Sequence, residues 1–381
     1  MFIGHLDVVE ARPEDWTTNP FQLIGKDGYF YRRGTQDIKA MDTALISTFI
    51  RLKREGCVPP RDLILALTPD EENGTANGVA WLVKNHRDLI DAELVLNVDQ
   101  GGVTTDKGKA TSVEVAAAEK LYADFHLMVT NPGGHSSRPV PENAIYRLAH
   151  ALLRIENSSF PFELNPVTKT FFGGIAPKET PERRGQIQAI LQPSPAAALA
   201  AFSSDARFNG LTHTTCIATR LDAGHANNAL PQRALALINC RLLPGHSPEE
   251  IRQELLQKLA DPNVAVRWMN SQTAVVMEKG PEDHAMTPAE PRKDVMVAIR
   301  SAADSYWPGV PLVVTMETGA SDSKYTAAAG IPGFGIGMIA IDHDDVRAHG
   351  KDERIRVKAF HEAVEFNYRF VKALLSQPRQ D

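Results

Sequence analysis

The chain has 381 residues, with 41 basic against 47 acidic side chains for a formal net charge of −6, and is 43% hydrophobic and 23% charged. At roughly 150 residues per domain this predicts about two to three domains of ordinary globular composition. The acidic balance excludes the electrostatic footprint of a nucleic-acid binder, and the longest apolar run, 331–341, is too short to cross a bilayer.

The first nine residues carry no basic region followed by an apolar stretch and a cleavage site, so they are no signal peptide. They read as a short buried strand with His5 and Asp7 two apart on one face. A helix is expected over 40–55, closed by Gly56. A strand over 62–68, a helix over 75–86 and a strand over 92–98 follow, and this alternation argues for a mostly parallel sheet covered by helices. The middle reads differently. A strand over 122–129 places Phe125, Leu127 and Val129 on one face, and a helix over 142–155 carries an apolar stripe. Two strands, 214–221 and 234–243, precede a helix over 248–259, for which Ser247, Pro248 and Glu250 supply an N-cap, a first-turn proline and a capping box. The last hundred or so residues return to the first style, with helices over 294–303 and 357–375 and strands over 312–315 and 333–339. The same texture at both ends predicts a discontinuous α/β domain, 1–118 and 281–381, interrupted by an α+β insert, 119–280. There is no internal repeat, and the only biased stretch is an alanine-rich patch at 195–201.

The three cysteines, Cys57, Cys216 and Cys240, are scattered without a CxxC pair. Neither a disulfide framework nor a thiolate zinc site is expected from them, and a reducing, cytoplasmic compartment is the simplest expectation.

Five clusters end or follow expected strands: Gly4-His5-Leu6-Asp7, Arg33 to Asp37, Thr68 to Glu72, Asn97 to Gly102, and Ala348-His349-Gly350. In open α/β sheets ligands gather beyond the carboxyl ends of the strands. Imidazole and carboxylate without thiolate suit Zn²⁺, Co²⁺ or Mn²⁺, and five such groups are about right for two ions sharing a carboxylate. Singly, each has a plainer reading. His-x-Asp on a strand is usually a structural pair, Glu71-Glu72 a helix start, Asp37 an N-cap and Asp99 a turn residue.

Their joint order carries a resemblance. GHLDVV, RGTQDIKAM, DEENG, VDQGG, AAAEK, GGHSSRP, NNALP, RLLPG, TGASDSKY and HGKDERI occur in register over nearly the whole chain. In this the chain resembles the dinuclear zinc exopeptidases typified by aminoacylase, bacterial glutamate carboxypeptidase and yeast carboxypeptidase S, and most of all the carboxypeptidase S and N-acyl-amino-acid hydrolase branch. The resemblance implies two Zn²⁺ ions (Co²⁺ or Mn²⁺ in their place) held by His5, Asp37, Glu72, Asp99 and His349, with Asp37 bridging. It implies Asp7 orienting His5, Glu71 as the general base toward a zinc-activated water, and His135 stabilising the oxyanion. Asn228 and Arg241 match substrate-contacting positions, Arg241 as partner of a free carboxylate. Asp322 matches a position near the site, where an N-cap or loop role is as fitting. The implied substrate is a small peptide or N-acyl amino acid, and the insert would be a lid that also forms a homodimer. Gln100 stands where that branch commonly has an acid. Relatives also carry a segment ahead of the first histidine, where this chain has four residues. The expectation is therefore that the true start lies upstream, which would leave secretion or a periplasmic home open, or that an element has been lost. The competing reading is a catalytically impaired binding or scaffold protein on the same fold. A nucleotide site is not expected, since GFGIG at 333–337 is not GxGxxG.

Overall fold

The computed structural model describes residues 1–73, 75–192, 204–271, 273–282 and 291–378. The alanine-rich patch at 195–201 lies outside them.

The amino-terminal run FIGH forms a strand, Phe2–His5, next to one edge of an eight-stranded sheet. It pairs in parallel with Leu65–Thr68 on one side and Val95–Asn97 on the other, and Gly333–Gly335 continues the parallel set. Both faces of this strand are covered. Phe2 packs into the cluster with Met41, Leu45, Phe366 and Phe370, while Ile3 packs with Val95 and Ile331. Burial on both sides is why these strands read as continuous apolar runs rather than alternating ones. Fully burying a phenylalanine such as Phe2 or Phe366 contributes on the order of 1.5–3 kcal/mol. Helices Lys39–Arg54, Lys293–Ala303 and Val357–Leu375 cover one face of the sheet.

Beyond Gly333–Gly335 the sheet turns antiparallel through a hairpin absent from the sequence reading, Gly102–Asp106 with Lys109–Glu119. Its turn places Lys107 and Gly108 both at positive φ, 50° and 77°, as a two-residue hairpin loop requires. Leu312–Glu317 runs parallel to Lys109–Glu119, and Ala340–Asp342 closes the far edge.

The chain then leaves Glu119 and enters a second, five-stranded antiparallel sheet containing Leu121–Thr130, Thr215–Ala223 and Arg233–Leu242. Alternation is clean here. Phe125, Leu127 and Val129, with Ala234, Ala236, Ile238, Cys240 and Leu242, face helices Ala144–Glu156 and Pro248–Leu259. The capping box of the second helix is present as read, the Ser247 hydroxyl accepting from the Glu250 N–H and the Glu250 carboxylate accepting from the Ser247 N–H. The opposite face of the sheet is open. Three further helices, Pro166–Ile175, Pro181–Ile190 and Ala206–Thr212, lie inside the 119–280 span by sequence. They instead build an apolar cluster on Val313 and Met316 of the eight-stranded sheet.

The cysteine expectation is corrected. Cys216 and Cys240 are cross-strand partners in the five-stranded sheet and are joined by a disulfide; Cys57 is free. Spacing could not show this, because a separation of 24 residues becomes a contact only once strand register is set.

Candidate metal centre

The neighbouring parallel strands Phe2–His5, Leu65–Thr68 and Val95–Asn97 run in one direction, so the residues that end or follow each of them converge. His5 is the last residue of the first strand and is 1% exposed. Its Nδ1 lies 3.2 Å from the carbonyl oxygen of Asp7. That contact fixes Nδ1 as the donor and leaves Nε2 to face Asp37 Oδ1 at 3.1 Å and Asp99 Oδ1 at 3.7 Å. Asp7 then reaches the neighbouring loop. Its two oxygens accept the N–H groups of Glu71 at 3.2 Å and Glu72 at 3.1 Å. One residue thus aligns an imidazole through its main-chain carbonyl and a pair of glutamates through its carboxylate.

Asp37 precedes helix Lys39–Arg54 but caps nothing; the N-cap is Ile38, which has no side-chain cap bond. The Asp37 oxygens divide between two imidazoles, Oδ1 toward His5 and Oδ2 toward His349 Nε2 at 2.9 Å. His349 Nε2 also lies 3.0 Å from Glu72 Oε2. Two sets therefore share Asp37, one with His5 and Asp99 and the other with Glu72 and His349. Ligand atoms of His5, Asp37 and Glu72 lie within 4.8 Å of one another, as do those of His5, Glu71 and Asp99.

Electrostatics follow from the crowding. Burial alone would depress the His5 imidazole, but hydrogen bonds to Asp37 and Asp99 outweigh it and push the pKa up to about 12. Hydrogen bonds to Asp37 and Glu72 raise His349 to about 10. Burial acts to raise Asp37, yet the two imidazoles hold it well below the usual carboxylate range. Asp99 is pushed up by burial. Glu71 rises to about 9 through burial and the Asp99 charge. So many carboxylates in one buried place call for cations. Glu72 Oε1, moreover, is buried without any hydrogen-bond partner, a cost of about 1–3 kcal/mol unless something occupies it. The two imidazole–carboxylate sets with an orphaned oxygen fit a pair of divalent ions of the zinc type.

A carboxylate that the sequence reading passed over holds the frame. Glu353 is fully buried. It accepts from Arg33 Nη1 at 2.6 Å and from the N–H groups of Gly34, Gln36 and Asp37 at 3.0, 2.6 and 3.1 Å. Arg33 Nη2 donates in turn to the His349 carbonyl at 3.2 Å. Both the shared carboxylate and the far imidazole hang on this clasp. Glu353→Gln is expected to lower metal affinity by about 10- to 100-fold, read by competition with a chromophoric chelator. Unchanged affinity would restrict Glu353 to holding the fold.

A cleft of about 550 Å³ opens over the centre, lined by Asp37, Glu71, Glu72, Asp99 and His349 below and by Tyr122, Leu237 and Arg241 of the open sheet face above. Arg241 is thus brought to the site. His135 and Asn228 are not. They sit together on a two-residue antiparallel ribbon, Gly134–His135 with Ala229–Leu230, where Ser136 N donates to Asn228 O at 3.0 Å. Both are exposed and neither lines the cleft. Asp322 stands at an N-cap position without capping; its oxygens take Asn77 Nδ2 at 2.5 Å and Thr68 Oγ1 at 3.4 Å. Its charge helps raise Glu71. Gln100 donates to Glu119 Oε2 at 2.5 Å and accepts from Ser323, a donation no ionised acid at 100 would make. Gly101 at φ 75° lets this loop press on the sheet, where a Cβ would meet two carbonyl oxygens at 2.7 Å.

The sequence matches Peptidase family M20/M25/M40 over residues 1–373. The chain belongs to the M20 family. Among curated relatives it is 27% identical to probable carboxypeptidase S-like 2 of Dictyostelium discoideum, over 98% of this chain and 71% of that one. It is likewise 27% identical to the human N-fatty-acyl-amino acid synthase/hydrolase PM20D1, over 98% and 73%. In fold it is similar to the M20 family metallo-carboxypeptidase Sso-CP2 of Sulfolobus solfataricus, with a TM-score of 0.68 at 18% identity over 99% of this M20 chain and 85% of that one. Membership makes the chain a hydrolase of the peptidase and aminoacylase kind. No helix among the described residues is long and apolar enough to cross a membrane.

Proposed function

We propose that this M20 chain hydrolyses an amide bond next to a free carboxylate, in an N-acyl amino acid, a dipeptide or a C-terminal residue, using two zinc-type ions and Glu71 as the proton carrier. The observation that carries the reading is the division of Asp37 between two imidazole–carboxylate sets, with Glu71 beside them under a cleft that Arg241 closes from above. The names of the two curated relatives, a carboxypeptidase and an acyl-amino-acid hydrolase, support the same class.

His5, Asp37 and Asp99 would hold one ion, and Asp37, Glu72 and His349 the other, with Co²⁺ or Mn²⁺ as substitutes. Ions held there supply Lewis acidity toward water and the scissile carbonyl. Glu71 lies within reach of that place and holds no fixed partner in it. Positive charge held beside it would lower its pKa from the burial-raised value, and as a carboxylate Glu71 would take the proton of the attacking water and then deliver it to the leaving amine. Asp7 keeps His5 and both glutamates in register. His135, remote within one chain, reaches the reacting carbonyl only through movement of the lid or from a second copy.

Elemental analysis is expected to give two zinc-type ions per chain, with hydrolysis of N-acyl amino acids or dipeptides lost to a chelator and restored by Zn²⁺, Co²⁺ or Mn²⁺. Well under one ion per chain, with no restoration, would refute this function.

We further propose that the five-stranded sheet and its two helices act as the lid within 119–280, hinged on the 1–118 and 281–381 unit, and that this lid pairs two chains. Thr215–Ala223 supports the pairing, being an edge strand whose Ile217 and Leu221 are each 66% exposed, a surface that isolated chains usually protect. Sedimentation velocity is expected to show a dimer, which Ile217→Lys disrupts; a monomer at all working concentrations would refute the pairing and leave the hydrolase reading standing.

A further inference from the structure

The cleft is unusual in its cations. Its lining includes Arg220, Arg241 and Lys324. Elsewhere the guanidinium groups are commonly ion-paired, as Arg33, Arg147, Arg252 and Arg354 are. Among the described residues no carboxylate lies within 4.0 Å of these three. Arg241 has one protein acceptor, Asn239 Oδ1 at 3.3 Å from its Nε, and lies over the Tyr122 ring. Lys324 sits above the Tyr325 ring, 4.9 Å from its centre, in the first turn of helix Ser323–Ala328.

Strand register gives two of them a common face. Arg220 stands opposite Leu237, and Arg241 lies four positions along the same strand as Leu237. Side chains at even separation share a face, so both arginines look out from the open side of the five-stranded sheet. Lys324 approaches from the eight-stranded side, its N–H bonded to the Ser321 carbonyl, and its charge bears on Glu119 and Asp322 without pairing with either. One free carboxylate engages one guanidinium. The proposed reaction therefore uses Arg241 and leaves Arg220 and Lys324 without a task. The apolar part of the lining is shared between aliphatic side chains and the Tyr122 and Tyr325 rings. The aliphatic ones are Leu237, Met269, Ala274 and Ala320, interspersed with the three cations rather than gathered apart from them.

We infer that the cleft selects substrates with a second anionic group, namely amides whose released amino acid is acidic, Arg241 taking the α-carboxylate while Lys324, aided by Arg220, takes the side-chain carboxylate. This rests on the hydrolase reading given above and narrows it. Charge-assisted contacts with a half-buried ammonium discriminate an acid from its isosteric amide, because the amide cannot satisfy the charge. Arg220 is exposed and screened, so the larger share falls to Lys324.

The test compares isosteric pairs on the zinc-loaded full chain: N-acetyl-glutamate against N-acetyl-glutamine, and N-acetyl-aspartate against N-acetyl-asparagine, with N-acetyl-methionine as an apolar reference. The expected result is a kcat/KM for each acid about tenfold or more above its amide, a ratio that falls at least severalfold in Lys324→Met and further in Lys324→Met with Arg220→Gln. In Lys324→Glu the preference should reverse in favour of N-acetyl-lysine. Metal-dependent turnover of the apolar reference with an acid-to-amide ratio at or below one overturns the inference while the hydrolase reading stands. A high ratio unmoved by any of these variants also overturns the assignment to Lys324 and Arg220. Absence of metal-dependent turnover on the whole panel removes both readings.

Discussion

Glu71→Gln is expected to reduce kcat by about 10²- to 10⁴-fold while metal content stays at the wild-type level, and Glu72→Gln to lose metal instead. The two glutamates are adjacent in sequence and their N–H groups are held by the same carboxylate, yet their surroundings differ. Glu72 touches His349 with one oxygen and has its other oxygen buried and unpartnered, the arrangement of a ligand. Glu71 makes no ion pair with either imidazole among the described residues and lines the cleft, the place of a group that meets water and substrate. Glutamine preserves the shape of each side chain and removes its capacity to carry a proton. Metal analysis beside single-turnover rates separates the roles, and equal metal loss in both variants would show the pair to be wrongly divided.

The parts of this site that could be read from the sequence were those set by local structure. His5, Glu71, Glu72 and Asp99 each end or follow a strand whose apolar run was legible, and parallel strands deliver such residues to one edge. The helix Pro248–Leu259 was legible to the residue because proline, cap and capping box agree. Where the reading fell short, the missing information was non-local. The hairpin of Gly102–Asp106 and Lys109–Glu119 escaped because its turn is Lys107-Gly108, not the Asn-Gly or Asp-Gly that usually marks positive φ at both positions. Helices Pro166–Ile175 and Pro181–Ile190 carried usable signals, Asn165 and Thr180 as caps before prolines, but nothing local tells that they pack on Val313 and Met316. The same limit hid Glu353, whose partners lie over 300 residues away in the chain, and the Cys216–Cys240 pairing. His135 and Asn228 do not line the cleft within one chain, and their assignment depends on a lid position or a second copy that sequence does not describe.

Arg241→Lys is expected to cut kcat/KM on substrates with a free α-carboxylate by roughly 30- to several-thousand-fold, the range set by loss of about 2–5 kcal/mol when one partner of a desolvated charged pair is removed, and to spare their carboxamide analogues. The geometry behind this is a relay on the open sheet face. Asp124, 3% exposed, accepts the Tyr122 hydroxyl at 2.8 Å and Asn239 Nδ2 at 2.8 Å. That leaves Asn239 Oδ1 turned to Arg241 Nε at 3.3 Å, while the Tyr122 ring lies 4.7 Å beneath the guanidinium. Cross-strand register makes the relay rigid, since Tyr122 faces Arg241 and Asp124 faces Asn239 directly. The guanidinium plane is thereby set, and its two terminal amino groups have no protein acceptor among the described residues. A planar fork presented edge-on grips a carboxylate through two parallel hydrogen bonds, whereas an ammonium on a flexible stem makes a point contact and gains nothing from the Asn239 and Tyr122 supports. Burial also depresses the Arg241 pKa, a desolvation cost that a bound carboxylate would offset. Measured against an acid and its carboxamide in parallel, a loss confined to the acid assigns Arg241 to the carboxylate. An equal loss on both, or none on either, would end the carboxylate clamp and weaken with it the case for cleavage next to a free acid.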